Sequence, residues 1–326
     1  MRLDIGYTTR FRYPAPVSES QNELRAAPTS DRRQQLLHYD VTTSPSSRVS
    51  SYIDYWGTRV DTFGIRPPHT QLEVVARATV ETFDVPAPDL RVEVDAVTEP
   101  EFRERHLELL HPSPHVDWGP AVADEARRVA AEAGDDLLAV VDAIHLRVAG
   151  LDYAPGETYV GVAVDHVFEV GQGVCQDFAH LAVAMYRSLG IPARYVSGYL
   201  FAADDATGRD TTVDEVDVQT HAWVEVALPG AGWLALDPTN AQPVGERHVT
   251  IGRGRDYDDV SPFRGAYRGP AAHELSAQVH LRRLPAPPAG QPEGRREGRD
   301  GGHRERLGLH VHAAGDGALQ GTQSQQ

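Results

Sequence analysis

The order of helix and strand patterns in the middle of the sequence constrains its fold more than any other feature. Residues 121–134 are rich in alanine and end at a glycine suited to cap a helix. Residues 135–151 place a second apolar set on one helical face, namely Leu137, Val140, Val141 and Ile144. After one more helix, strand patterns follow in "ARYVSGYLF", "QTHAWVEVAL" and "GWLALDPT". Helices first and strands second predict an α+β domain over about 120–284.

The regions on either side of this domain have different patterns. Short alternating stretches rich in valine, threonine and aromatic residues, from "LDIGYTTRFRY" to "QLEVVARATVETFDV", predict a β-rich, sandwich-like N-terminal domain over 1–95. We interpret the passage over 96–119 as a linker. Residues 285–326 have low complexity and too few bulky apolar side chains to offset the entropy of ordering, so we expect a disordered tail there.

Composition narrows the classes of function. The net charge of -16 disfavours nucleic-acid binding, because phosphates repel an acidic surface. No apolar stretch approaches the roughly 20 residues that span a bilayer, and no secretory signal is readable, so no membrane association is expected. One cysteine cannot form an internal disulfide, and a working thiolate needs a reducing environment. We therefore expect a cytoplasmic protein.

That cysteine, Cys175, stands at the head of an apolar helical run and directly after "GQGV". Phe178, Leu181, Ala182, Met185 and Leu189 fall in one stripe of the run, with Cys175 beside it at the first turn. The N-terminal end of a helix stabilises a thiolate, which favours a nucleophile. A small buried core cysteine and a metal ligand are the alternatives. A single cysteine, however, supplies neither a CxxC pair nor a zinc ligand set, so we expect no metal and no cofactor.

Two later strands offer partners for the thiol. Alternation puts His221, Trp223 and Glu225 on one face of the first strand, and Trp233, Ala235 and Asp237 on one face of the second. "PGAG" between them indicates a hairpin. A four-residue loop would place Asp237 on the wrong face, whereas a loop of three or five residues, or a bulge, would bring its carboxylate to His221. In that case Asp237 would favour the charged form of His221, which could pair with the thiolate.

These segments resemble the core of the bacterial transglutaminase-like family. The resemblance rests on "GVCQDFAHLAVAMYRSLGIPARYVSGYL", "THAWVEV" and "GWLALDPTN", and residues 11–28 and 61–80 resemble the β-rich N-terminal region that accompanies this core. It implies a papain-like fold in which the cysteine helix packs against an antiparallel sheet. It also implies that Cys175 is the nucleophile, His221 the general base and acid, and Asp237 the residue that orients His221.

Five further residues are candidates for binding substrate: Gln172, Gly173, Gln176, Asp177 and Trp223. Glycine lets a substrate backbone approach closely. The N–H of Cys175 is the natural oxyanion donor, with Gln172, Tyr153 or Trp223 as a second one. Asp177 could instead stabilise the helix start. For His180, which lies on nearly the opposite side of the helix from Cys175, we expect a structural hydrogen bond.

The chemistry so predicted is acyl transfer on a peptide or glutamine-type amide through a thioester, ending in hydrolysis or transamidation. The partner is then a peptide or protein substrate. A catalytically silent scaffold of the same fold is the alternative. The acidic passage over 202–218 lacks the ligand spacing of an EF-hand, so we interpret it as a solvated lid beside the site and not as a calcium loop.

Overall fold

The structure is a computed structural model that describes residues 1–89, 91–156, 160–202, 214–270 and 272–285. The predicted tail, apart from residue 285, and most of the acidic passage over 202–218 lie outside these residues. Within the described ranges, no helix has both the length and the apolar character needed to cross a membrane.

The described residues form fifteen strands and six α-helices. The strands are β1 (Arg2–Leu24), β2 (Gln34–Ser44), β3 (Ser50–Ile53), β4 (Arg59–Ile65), β5 (His69–Thr82), β6 (Asp152–Tyr153), β7 (Gln172–Gly173), β8 (Ala193–Leu200), β9 (Glu215–Val218), β10 (His221–Leu228), β11 (Gly232–Asp237), β12 (Gln242–Pro243), β13 (His248–Gly254), β14 (Phe263–Arg268) and β15 (Glu274–Leu284). The helices are α1 (Pro100–Arg105), α2 (Pro120–Ala133), α3 (Leu137–Ala149), α4 (Val164–Val170), α5 (Cys175–Ser188) and α6 (Tyr257–Val260).

The N-terminal strands form one curled antiparallel sheet around β1. The first half of β1 pairs with β5 and β15, and its second half, beyond an irregularity between Arg12 and Val17, pairs with β4 and β14. Alternate side chains of β1 are buried, among them Leu3, Ile5 and Tyr7. The prediction of a β-rich N-terminal region is therefore confirmed, and β1 takes part in both halves of the sheet.

Strands from the far end of the sequence complete this sheet. β15 runs antiparallel to β1 from Arg2, opposite Leu284, to Arg12, opposite Glu274. β9 pairs in turn with β15. Residues 263–284, which the sequence pattern assigns to the second domain, thus hydrogen-bond to the first strand of the chain. Alternation within a strand shows which face is buried but not which strand lies beside it, so the sequence boundary differs from the observed pairing.

The second region contains a five-stranded sheet in the order β12-β11-β10-β8-β13, with every neighbouring pair antiparallel. Helix α5 packs on β10 and β8. The helices predicted at residues 121–134 and 135–151 are confirmed as α2 and α3, and Gly134 caps α2 with a φ of 91°. The segment over 96–119 is more than a linker, since Val97, Phe102 and Val116 join the same core.

Helix α5 is buried on all sides and not only along the predicted stripe. Every residue from Gln176 to Arg187 is buried, because the sheet covers one face and α2, α3 and α4 cover the others. Leu189, the last residue of the predicted stripe, caps the helix end instead of continuing it. A helix held on every side fixes the position of the residue at its start.

Candidate active site

Cys175 is the first residue of α5 and is half-buried. The chain reaches it through β7, which pairs with β6, and through the extended residue Val174. The carboxylate of Asp177 accepts a hydrogen bond from the Val174 N–H at 2.9 Å and so caps the helix. Gly173 leaves room for this cap, since a Cβ there would lie 2.9 Å from atoms of Asp177. The local sequence thus fixes the helix start and, with it, the thiol.

His221 and Asp237 lie at the open ends of the β10–β11 hairpin. The strands pair Leu228 with Gly232, so the loop has three residues, and continuing this register sets Asp237 opposite Trp223. His221 and Asp237 therefore share a face, as the odd loop length requires. The Nε2 atom of His221 lies 2.8 Å from Oδ2 of Asp237.

Asp237 is fully buried and accepts five hydrogen bonds. Its Oδ1 accepts from the N–H groups of Thr239 and Asn240 at 3.0 and 3.3 Å. Its Oδ2 accepts from Nδ2 of Asn240 at 2.7 Å, from His221 at 2.8 Å and from Nε2 of His248 at 3.1 Å. Burial alone would raise the pKa of Asp237, but the attraction of His221 and these donors hold it well below its usual range. Asp237 is therefore a carboxylate.

His221 carries the positive charge that balances Asp237. Burial by itself would lower the pKa of His221, but the charge of Asp237, the hydrogen bond to it and a hydrogen bond with Cys175 raise the pKa to about 10. Since Nε2 donates to Asp237, Nδ1 is the ring nitrogen left to face the sulfur. The structure thus brings Cys175, His221 and Asp237 together in the order in which an activated thiol needs them.

A cleft opens over the sulfur, and its described lining contains no aspartate, glutamate or arginine side chain. Apart from Cys175 and His221, these lining residues are Tyr153, Pro155, Gly156, Val174, Gln176, Tyr195, Ser197, Gln219, Thr220, Ala222 and Tyr257. Burial, with a smaller effect of Cys175, raises the pKa of Tyr195 well above its usual value. The phenol is therefore neutral.

The wall that carries Tyr257 is held by His180. The Nε2 atom of His180 accepts a hydrogen bond from the N–H of Tyr257 at 3.2 Å, which confirms the structural hydrogen bond expected for this histidine. Burial lowers the pKa of His180 well below its usual value, so the ring stays neutral and can accept. The ring of His115 stacks on it at 5.6 Å.

The five substrate-binding candidates are placed differently. Gln176 lines the cleft, whereas Asp177 is buried as the helix cap. Gln172 and Gly173 precede the helix in β7 and are not among the described lining residues. Trp223 is fully buried against Val196, Ala235 and Val244, away from that lining. Tyr153 is therefore the one side chain proposed as a second oxyanion donor that reaches the described cleft.

His248 and Asn240 are partners of Asp237 that the sequence pattern does not predict. Asn240 lies three positions after Asp237, a spacing at which a turn brings side chains together, and this was a readable signal. His248 lies at the start of β13, two strands away from β10 in the sheet, and nothing in its local sequence marks the contact.

His221, Asp237 and His248 also place three potential metal-ligating atoms within 4.8 Å of one another. The hydrogen bonds oppose such a role. The N–H of Gly245 donates to Nδ1 of His248 at 3.3 Å, so the ring proton is on Nε2, the atom a metal would need. Asn240 already donates to the same carboxylate oxygen. These three residues fit a hydrogen-bond cluster better than a metal site.

Comparison with known proteins agrees with this architecture. Residues 123–238 match the transglutaminase-like superfamily, and residues 3–81 match the bacterial transglutaminase-like N-terminal region. An uncharacterized protein of Mycobacterium leprae is 38% identical over 283 residues, which cover 87% of this chain and 99% of that protein. The crystal structure of a candidate cysteine protease from Cytophaga hutchinsonii shares the fold with a TM-score of 0.64 at 22% identity, covering 86% of this chain and 90% of the other.

A third similarity is shorter. A protein-glutamine gamma-glutamyltransferase of Pseudomonas aeruginosa is 32% identical over 142 residues, which cover 43% of this chain and 20% of that protein.

The cysteine helix on its antiparallel sheet, facing a strand histidine, defines a papain-like α+β fold. Within that class, the chain belongs to the transglutaminase-like superfamily and carries its bacterial N-terminal region.

Proposed function

We propose that this protein is a cysteine-dependent acyltransferase or hydrolase that acts on a peptide or glutamine-type amide. The observation that carries the proposal is the hydrogen-bonded series from Cys175 through His221 to Asp237 at the floor of an open cleft. A thiol and a histidine cation in contact can exist as a thiolate–imidazolium pair, which is the reactive form of a cysteine nucleophile.

The reaction begins when the sulfur of Cys175 attacks the carbonyl carbon of the substrate amide. The oxygen of the tetrahedral intermediate takes the negative charge, with the backbone N–H of Cys175 and the Tyr153 hydroxyl as donors. His221 gives its Nδ1 proton to the departing nitrogen, and the C–N bond breaks to leave a thioester. Water or a primary amine then attacks the thioester, His221 takes a proton from it, and the sulfur is released.

The cleft supports a neutral acyl donor. Three tyrosines and two glutamines line its described part, and beside the catalytic pair no charged side chain does. An amide can enter this cleft without leaving a buried charge unpaired. A glutamine carboxamide or an uncharged peptide segment fits this lining.

The acceptor in the second half-reaction is water, another molecule or a chain terminus. The chain contains no lysine, so it offers no side-chain amine to its own thioester. The relative from Pseudomonas aeruginosa is a protein-glutamine gamma-glutamyltransferase, and this supports an amine acceptor beside water. We propose a peptide or protein as substrate and the cytoplasm as location, since a free thiol is preserved in a reducing compartment.

The test is a mass-spectrometric assay with a glutamine-containing peptide, with and without a fluorescent primary amine. Incorporation of the amine with loss of ammonia shows transamidation, and conversion of the amide to the acid or cleavage of the peptide shows hydrolysis. Cys175→Ala is the matched inactive control. If a panel of peptides gives no product, and wild type and His221→Gln react with iodoacetamide at equal rates at pH 6, the silent scaffold is the correct description.

A further inference from the structure

A second histidine, His248, contacts the same carboxylate oxygen as His221. Its Nε2 lies 3.1 Å from Oδ2 of Asp237, while Nε2 of His221 lies 2.8 Å from that oxygen. His248 is 5% exposed and reaches the site from β13, across the sheet from β11. Two histidines from different strands therefore hold one buried carboxylate.

The protonation state of His248 follows from its other ring nitrogen. The N–H of Gly245 points to Nδ1 at 3.3 Å, so Nδ1 must accept and the single ring proton lies on Nε2, directed at Asp237. A doubly protonated ring would place two donors face to face at Nδ1. Burial also lowers the pKa of His248, which agrees with a neutral ring. The contact is thus a neutral donor on a carboxylate, and His221 remains the counter-cation.

This donor restricts the rotation of Asp237. With His221, His248 and Asn240 all on Oδ2, and two backbone N–H groups on Oδ1, the carboxylate can turn only by breaking several bonds at once. We propose that His248 is a positioning residue, whose Nε2–H fixes the carboxylate of Asp237 so that His221 faces the sulfur of Cys175. The role in acyl transfer rests on the proposed function, whereas the effect on His221 does not.

A purely packing role predicts a different outcome. Trp223 presents an edge to His248, with ring centroids 5.3 Å apart and planes at 76°, so the ring also fills space in the core. If filling space were all that His248 did, a flat apolar ring would replace it better than a flexible amide would. If His248 acts through its Nε2–H, glutamine should replace it better than phenylalanine does.

The experiment compares His248→Phe, which keeps a buried ring without a donor, with His248→Gln, which keeps an N–H donor. His69→Phe is the control, because His69 is also a buried histidine with an aromatic neighbour but lies in the N-terminal sheet. Alkylation by iodoacetamide reports on Cys175 alone, since the chain has no other thiol. A titration of the His221 ring by NMR, assigned with His221→Gln, reports on the pair without any substrate.

Two effects are expected in His248→Phe. Its alkylation at pH 7 should fall about tenfold, because an imidazole that is no longer held aligned serves the thiol poorly. The titration midpoint of His221 should move below that of wild type, because a carboxylate that is free to turn holds the imidazolium less firmly. The groups that set this midpoint are Asp237, Cys175 and His248, and His145 of α3 lies within electrostatic range of Asp237.

The alkylation rate of His248→Gln should stay within about threefold of wild type. This is a smaller effect than a tenfold change, which corresponds to about 1.4 kcal/mol. The alkylation rate of His69→Phe should match that of wild type. The proposal is overturned if His248→Gln is impaired as much as His248→Phe, or if the His221 midpoint is unchanged or raised. Should His248→Phe not fold, His248→Met supplies the variant without a donor. If these shifts appear while wild type processes no peptide amide, the positioning of His221 stands and the proposed function fails.

Discussion

His221 and Asp237 lie 16 positions apart in the sequence, and a three-residue hairpin loop brings their side chains to 2.8 Å. Whether the loop has an odd or an even number of residues decides which face of the hairpin Asp237 occupies, because side chains alternate between the faces of a strand. With this register, Asp237 lies diagonally across from His221, and it is fully buried, so water cannot screen its charge. The hairpin therefore sets both the position and the charge of the histidine.

Replacing Asp237 with asparagine should lower the turnover of a peptide amide by about a hundredfold or more, because an amide cannot hold His221 as a cation in the required orientation. Kinetics with the peptide assay and alkylation of Cys175 would both measure this loss. Asp61→Asn is the matched control: Asp61 is also fully buried and bonds to Tyr39 and Arg59 in the N-terminal sheet. Asp61→Asn should reduce stability and leave the alkylation rate unchanged; equal losses in both variants would contradict a specific role of Asp237.

The raised pKa of His221 predicts a dependence of stability on pH. Because the pKa is about 10 in the folded protein and 6.5 in the reference state, the folded state binds the proton more tightly. The stabilisation is complete below about pH 6.5 and is lost as the pH rises through about 10. Urea unfolding of wild type should therefore lose more free energy between pH 7 and 10 than that of His221→Gln, which cannot titrate. Parallel curves for the two proteins would show that the histidine is not stabilised as a cation.

The sequence predicts that Cys175, His221 and Asp237 lie close together, because each of the three is tied to a local pattern. The helix start identifies Cys175, and alternation identifies the common face of His221 and Asp237. The sequence leaves open whether the hairpin loop has three or five residues, because the segment around Pro229 to Ala231 can close a hairpin in more than one way. In the structure the loop has three residues.

What the sequence does not predict is long-range pairing. Arg2 lies opposite Leu284, and His248 contacts Asp237 from a strand on the far side of β8. Such contacts depend on which strand edges meet, and a single sequence encodes the buried face of a strand but not its neighbour. The division of the chain into successive domains therefore differs from the sheet that the two ends build together.

Tyr153→Phe should lower the turnover number by at least about tenfold while changing KM little, because the hydroxyl is needed for the oxyanion and not for the ground state. Tyr153 lines the cleft, and the pKa of its phenol is raised by burial and by the nearby Cys175. Tyr52→Phe is a control in a similarly exposed tyrosine of β3. Steady-state kinetics on one peptide amide would separate the two parameters, and an unchanged turnover number would assign the second donor elsewhere.

Gly198→Ala tests whether the pairing of β8 with β10 holds His221 in place. Gly198 pairs with His221 in the central sheet, and a Cβ there would lie 2.2 Å from the carbonyl oxygen of Val249 and 2.4 Å from the ring of Trp223. Since backbone cannot yield as a flexible side chain can, the substitution should destabilise the fold by about 2–3 kcal/mol and slow alkylation of Cys175. Gly6→Ala is the control, because Gly6 also lies in a strand but its Cβ would meet nothing closer than 4.0 Å, and it should change stability by less than about 1 kcal/mol. Urea unfolding measures both variants, and equal stabilities would show that the close contact at Gly198 does not constrain the fold.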